Sequence, residues 1–329
     1  MKKSLITITL VSIFSAPVLA IDNGMALDWS NNDDLVQMDC SGTILAGKWV
    51  LTAEHCKNKA AQGVKTVHGL ARVESVINYT ATDYALDIGL WKLAAQVDTL
   101  KTTFLSPRHV AVDERLRITG FGSGNGLAYA EQLTTPSTEG RPEWFILKMD
   151  GKGTTAAGDS GAPYSDSEGF IVGIHDWGAI DQETGINASG SRLEYAKDWI
   201  LETINGWHYP TLANTPTAGG SVTIKVQSLH TDSVIDNATA SGDATITGGT
   251  CSGTTVQPYD ICTYTVASNG YEGTVTLDGD QKITINKGRT KPVTPPTPEP
   301  EQGSSGGALG SLGLLFGVIF GFTRRKTTR

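Results

Sequence analysis

Short stretches of alternating apolar and polar residues recur along this chain, and helical spacing is clear in one segment. Short alternating stretches between 36 and 51, punctuated by Gly42 and Gly47, predict a hairpin. The stretches 64–76 and 87–93 read the same way, and 115–120 predicts a strand entering the glycine-rich loop 120–126. In 195–204 the rhythm changes. Ala196, Trp199, Ile200 and Ile204 share a face at helical spacing and predict a helix. Alternation returns at 221–227, where Val222, Ile224 and Val226 face one way, and continues through 244–247, 262–267, 273–277 and 282–286. The pattern predicts an all-β protein.

Shifts in composition divide the chain. A Thr/Pro/Gly/Ala stretch over 213–220 reads as a linker after a first domain ending near 212. The short strands of 221–289, separated by turns, predict a small β-sandwich, immunoglobulin-like in its strand rhythm. Pro292, Pro295, Pro296, Pro298 and Pro300 make 290–307 an extended spacer that ends in Gly and Ser. An apolar run, 308–322, follows and is closed by Arg324, Arg325 and Lys326. It is short beside the roughly 20 residues of a membrane span, and its basic end would stay cytoplasmic. At the other end, Lys2 and Lys3 precede an apolar run over 5–14, then Val18-Leu19-Ala20. That is the order of a signal peptide, 1–20, which leaves Ile21 as the mature start.

Composition narrows the function. Of 329 residues 39% are hydrophobic and 18% charged, and the net charge is −8. An acidic chain without a clustered basic surface is a poor partner for nucleic acid. Export permits disulfides, and the four cysteines allow three connectivities. No C-x-x-C pair suggests a metal, and the 120–126 loop lacks the ending of a phosphate cradle, so neither metal nor cofactor is expected.

Three stretches carry chemistry. Gly158-Asp159-Ser160-Gly161-Ala162-Pro163 places a serine on a tight turn, where the amides of Gly158 and Ser160 can converge on a developing oxyanion. Leu51-Thr52-Ala53-Glu54-His55-Cys56 supplies a base. Asp87-Ile88-Gly89-Leu90 supplies a carboxylate to hold that base in the right tautomer, and the nearby Asp83 lacks the Ile-x-Leu that follows Asp87. The chain order His, Asp, Ser differs from that of lipases and esterases, and the Gly-x-Ser-x-Gly elbow is absent.

With Gly173-Ile174-His175-Asp176-Trp177-Gly178, these stretches make residues 21–212 resemble a chymotrypsin/trypsin-family serine endopeptidase. The resemblance implies two six-stranded antiparallel Greek-key barrels closed by a C-terminal helix. It implies His55, Asp87 and Ser160 as the catalytic triad, and Gly158 and Ser160 as oxyanion donors. It also implies a Cys40–Cys56 bond beside the histidine, which leaves Cys251 and Cys262 to pair in the second domain. Ile21-Asp22-Asn23-Gly24 is similar to the terminus whose amino group pairs with the aspartate before the nucleophile, here Asp159. No activation segment separates Ala20 from Ile21, so signal peptidase would itself create that terminus.

The family's specificity pocket falls on Thr154, Thr155, His175 and Gly178. Threonine at its floor argues against Arg/Lys specificity. His175 leaves open recognition of Glu or Asp, beside a preference for small or apolar residues. Asp176 departs from the family's serine, and two neighbouring carboxylates would raise one pKa. The tail resembles the GlyGly-CTERM sorting tails of Gram-negative bacteria. That implies passage through the periplasm, tail processing in the inner membrane, and release or surface display; a permanent anchor is the other reading. The expected partners are protein or peptide substrates and the export and tail-processing machinery, with the β-domain offering a surface to a ligand. The enzyme is expected to be monomeric. A catalytically idle adhesin on a protease fold is the competing class, and it usually lacks a triad residue.

Overall fold

In the computed structural model, residues 21–80, 85–122, 126–136, 140–149, 153–178, 186–215 and 219–292 are described. Two seven-stranded antiparallel sheets form the first part. The first runs in the order Gly69–Ala71, Val64–Thr66, Leu35–Gln37, Ser41–Leu45, Trp49–Thr52, Gly89–Leu93, Val73–Asn78. The second begins with Met25–Leu27 and continues Leu127–Thr135, Trp144–Met149, Ile186–Arg192, Ile171–Gly178, Pro163–Ser165, Arg115–Gly120.

Because Leu127–Thr135 also pairs with Arg115–Gly120, six strands of the second sheet close into a ring. Met25–Leu27 lies outside that ring as a seventh strand. The expected six-stranded barrel is therefore found there. The first sheet departs from the expectation: it has seven strands, and no pairing among the described residues joins its two ends. The hairpin Val64–Thr66 with Gly69–Ala71 supplies the extra strand, and three-residue strands carry too little alternation to be separated in sequence.

Each sheet encloses a core. Val36, Ile44, Val50, Val64 and Trp91 fill the first, and Ile21, Leu116, Ile118, Phe145, Tyr164 and Val172 the second. Leu45, Leu51, Leu90, Ile171 and Ile174 lie in a third cluster with the helix Leu193–Ile204, whose Ala196, Trp199, Ile200 and Ile204 all face it as the periodicity predicts. Each fully buried Leu or Ile contributes about 1.5–3 kcal/mol. The helix ends at Asn205 in the left-handed conformation, with the cap N–H bonded back to Leu201.

The chain then builds two four-stranded sheets around one core. Ile224, Val226, Tyr264 and Val266 come from one sheet; Val275, Leu277, Ile283 and Ile285 come from the other. Cys251 and Cys262 are disulfide-bonded within it. These sheets start before the compositional boundary. Gly206–His208 pairs with Ser221–Leu229, and Leu212–Ala213 pairs with Gln281–Ile285.

Buried polar side chains lock the sandwich to the first part. Gln227 accepts from the Leu105 amide at 3.0 Å and donates to its carbonyl at 2.7 Å. His208 Nδ1 accepts from the Ala46 amide at 3.1 Å, which leaves Nε2 to donate to the Thr103 carbonyl at 3.0 Å. Burial pushes His208 down to about 4, so it sits there neutral. No helix among the described residues is long and apolar enough to cross a membrane. The expected signal segment 1–20, most of the expected spacer and the apolar run 308–322 lie outside the described residues.

Candidate active site

His55 is delivered by a strand end. Trp49–Thr52 stops at Ala53, and a 3-10 helix, Glu54–Gln62, begins. Cys56, buried beside His55, is bonded to Cys40, and closing a loop of that size stabilises the fold by about 3 kcal/mol in the chain-entropy model. Asp87 lies just before the strand Gly89–Leu93, fixed by the buried Leu86 and Ile88 on either side. Its carboxylate receives His55 twice: the backbone N–H at 2.9 Å and ring Nδ1 at 2.5 Å. An acceptor opposite Nδ1 puts the ring proton there and leaves Nε2 as a free base. The hydrogen bond to Asp87 holds the His55 pKa above its ordinary value; partial burial opposes this, and the charges of Asp87, Asp176 and Glu54 add to it. Ser191 Oγ steadies Asp87 from behind by accepting its backbone N–H at 3.1 Å.

Ser160 sits on a turn that only glycines permit. Gly158 has φ +98° and Gly161 φ +80°. A Cβ on Gly161 would meet Thr52 Oγ1 at 2.2 Å. The Ser160 carbonyl accepts from the Ser41 amide at 2.8 Å, and the Gly161 amide donates to the His175 carbonyl at 2.7 Å. Cys56 Sγ lies 3.9 Å from that Ser160 carbonyl, which sets the turn against the histidine's own disulfide. The amides of Asp159, Gly161 and Ala162 are all hydrogen-bonded. Those of Gly158 and Ser160 are not, among the described residues. Two N–H groups on one turn, neither with a partner among the described residues, have the make-up of an oxyanion site. Ser160 Oγ makes no hydrogen bond among the described residues, His55 included, and contacts of this kind tighten when substrate binds.

Asp159 points inward and is fully buried; it accepts from the Gly122 amide at 2.8 Å and the Ala156 amide at 2.9 Å. Burial pushes its carboxyl up to about 7, with the charge of Asp22 adding to the effect and the two amides opposing it. Ile21 is fully buried in the second core, and the next residue, Asp22, exchanges backbone hydrogen bonds with Thr154 at 2.9 and 2.7 Å. No hydrogen bond between Ile21 and Asp159 is present among the described residues. Thr154 and Thr155 are half-buried, and Gly178 is exposed at a strand end.

His175 and Asp176 are both buried, although consecutive residues of a regular strand face opposite ways. This strand is covered on both faces, since Ile171 to Asp176 are all buried, and its pairing with Ile186–Arg192 shifts register between His175 and Trp177. His175 Nδ1 lies 3.0 Å from Tyr164 Oη, and the ring also bonds the Ser189 backbone. Burial pushes it down to about 4. Asp176 accepts from Ser189 Oγ and from the Trp177 amide, both at Oδ1.

Residue patterns did not single out Ser41, Tyr164, Ser189 or Ser191. Of these, only Ser41 had a signal, its place directly after Cys40. Asp83 lies outside the described residues. The sulfurs of Cys40 and Cys56 come within 4.8 Å of a His55 nitrogen, but their disulfide removes them as metal ligands.

The trypsin family model matches residues 24–200, more than half of the chain, with His55, Asp87 and Ser160 inside the match. The chain belongs to the trypsin family. As such the protease is a serine endopeptidase, acting on proteins or peptides. Among solved structures it is similar to the VesB protease of Vibrio cholerae, with 18% identity, 80% of this chain and 98% of that chain covered, and a TM-score of 0.46. It is similar also to the secreted serine protease VesC of Vibrio cholerae, with 16% identity, coverage of 80% and 70%, and a TM-score of 0.44. Mouse neuropsin matches at 19% identity over 55% of this chain and 98% of its own, with a TM-score of 0.46.

Proposed function

We propose that the protease cleaves peptide bonds through an acyl-enzyme on Ser160. His55 takes the Ser160 proton and returns it to the leaving amine. Asp87 fixes the His55 tautomer and stabilises the imidazolium, and the amides of Gly158 and Ser160 receive the oxyanion. The observation that carries this reading is the pairing of Asp87 with Nδ1 and the backbone N–H of His55, beside two amides that have no hydrogen-bond partner among the described residues.

Small or apolar side chains suit the specificity pocket best. Thr154 and Thr155 bring no charge for Arg or Lys. His175 carries a proton only below about 4, so at neutral pH it offers no cation to a Glu or Asp substrate. Mass spectrometry of peptide-library products at neutral pH therefore gives cuts after small or apolar residues. Dominant cuts after Arg, Lys, Glu or Asp would refute the pocket, and no cuts at all would refute the activity.

The sequence also supports export by the 1–20 signal, display or release through the 308–329 tail, and an immunoglobulin-like role for the two-sheet sandwich as a ligand surface. Ile21, the first residue of the exported protein in this reading, gives its α-ammonium to Asp159, a buried carboxylate with two amide donors and no cation among the described residues. Losing one partner of a buried pair costs about 3–5 kcal/mol, so one extra residue before Ile21 lowers kcat/KM on the order of a hundredfold or more. N-terminal sequencing of the active exported protein is the check, and any start other than Ile21 rejects this activation.

A further inference from the structure

Asp176 is an acid whose placement the triad does not explain. It is buried, with 5% of its surface exposed, and only one carboxylate oxygen is served. Oδ1 accepts from Ser189 Oγ and from the Trp177 amide at 2.7 Å; Oδ2, fully enclosed, has no hydrogen-bond partner among the described residues. An unserved oxygen on a buried carboxylate is costly and calls for a role. Ser189, which donates to Asp176, and Ser191, which accepts from the Asp87 amide, lie two residues apart on Ile186–Arg192 and share a face of that strand, which brings Asp176 to the Asp87 side of the site.

Its titratable surroundings can be named from each packed element. Asp87 comes from the loop before Gly89–Leu93, and His55 from the 3-10 helix with Glu54 next to it. Tyr164 comes from Pro163–Ser165, and His175 is the preceding residue of the same strand. Tyr164 is pushed well above its ordinary range by burial and stays neutral, and His175 stays neutral above about 4. Asp176 makes no ion pair among the described residues. Its charge, when present, therefore acts on His55, whose pKa it raises, and the charge of Asp87 in turn raises Asp176.

We propose that Asp176 is a second carboxylate of the catalytic centre, a positioning residue that sets the charge state of His55 through the field it adds beside Asp87. This rests on the triad reading above. Burial first, then the charge of Asp87, pushes the Asp176 carboxyl up to about 6, against the Ser189 and Trp177 hydrogen bonds. The sign follows. Above that value Asp176 is anionic and favours imidazolium, so the neutral base appears only at higher pH and the acid limb of kcat/KM lies correspondingly higher. The same field stabilises the imidazolium formed as Ser160 loses its proton, so kcat gains while KM does not.

The test is the pH profile of kcat/KM for the full protein and for Asp176→Asn and Asp176→Ser, the latter keeping a small hydroxyl beside Asp87. The expected result is an acid limb displaced by about half a pH unit or more to lower pH in both variants, with kcat several-fold lower and KM unchanged. A limb at the same pH in both variants overturns the proposal. A readout independent of turnover uses Ser160→Ala with and without Asp176→Asn, following the His55 ring by NMR through a pH titration. A lower His55 midpoint without Asp176 supports the assignment, and equal midpoints overturn it. Because that titration needs no activity, an inactive wild type would sink the triad reading and still leave Asp176 decided.

Discussion

Ser160→Ala lowers kcat about a millionfold while the protein stays folded, which is the loss seen when related enzymes lose their nucleophile. Folding survives for a reason visible at the turn. Ser160 Oγ makes no hydrogen bond among the described residues, so its removal orphans no buried group, and the backbone bonds from Ser41 and Gly161 remain. His55→Ala suffers a similar loss, and the double variant is no worse than either single one, because base and nucleophile act in one step. Kinetics on one cleaved peptide, with melting curves for all three variants, separate this outcome from unfolding. A Ser160→Ala protein retaining even a hundredth of the activity contradicts the mechanism.

Gly158→Ala disables the same centre through the backbone. At φ +98° an alanine is strained, and its Cβ would stand 2.1 Å from the Gly122 carbonyl oxygen. That oxygen belongs to the residue whose amide holds Asp159, so relief of the clash moves both the oxyanion turn and its support. Losing one oxyanion donor costs about 100- to 1,000-fold in kcat, and the strained backbone adds ~1–3 kcal/mol of destabilisation. Gly169→Ala is the control. Its φ is +87°, yet nothing lies within 4 Å of the added Cβ, so it loses ~1 kcal/mol of stability and no activity. Equal kcat in Gly158→Ala and wild type would remove Gly158 from the oxyanion site.

The proposed triad could be read from the sequence because each member carries its own local signal. His55 stands beside a cysteine, Asp87 opens an apolar strand, and Ser160 lies among glycines. Those signals are short-range, as are the turns and end positions that cause them. The helix was legible for a similar reason: Ala196, Trp199, Ile200 and Ile204 need only their own spacing.

What the sequence hides is long-range. Gly206–His208 and Leu212–Ala213 are too short to alternate, and they become strands only because Ser221–Leu229 and Gln281–Ile285 lie alongside. The burial of both His175 and Asp176 depends on cover over both faces of Ile171–Gly178, which no pattern within the strand itself could announce. The depressed His175, bonded to Tyr164 and Ser189, follows from that same burial.

The central claim is that Ser160 is the nucleophile, and covalent trapping tests it most directly. The protein is treated with a biotinylated peptidyl organophosphonate, digested, and mapped by mass spectrometry, with His55→Ala in parallel. The account predicts one adduct, on Ser160, formed with concurrent loss of activity, unaffected by chelators and strongly slowed without His55. An adduct elsewhere, or chelator-sensitive activity with Ser160 unlabelled, would contradict it.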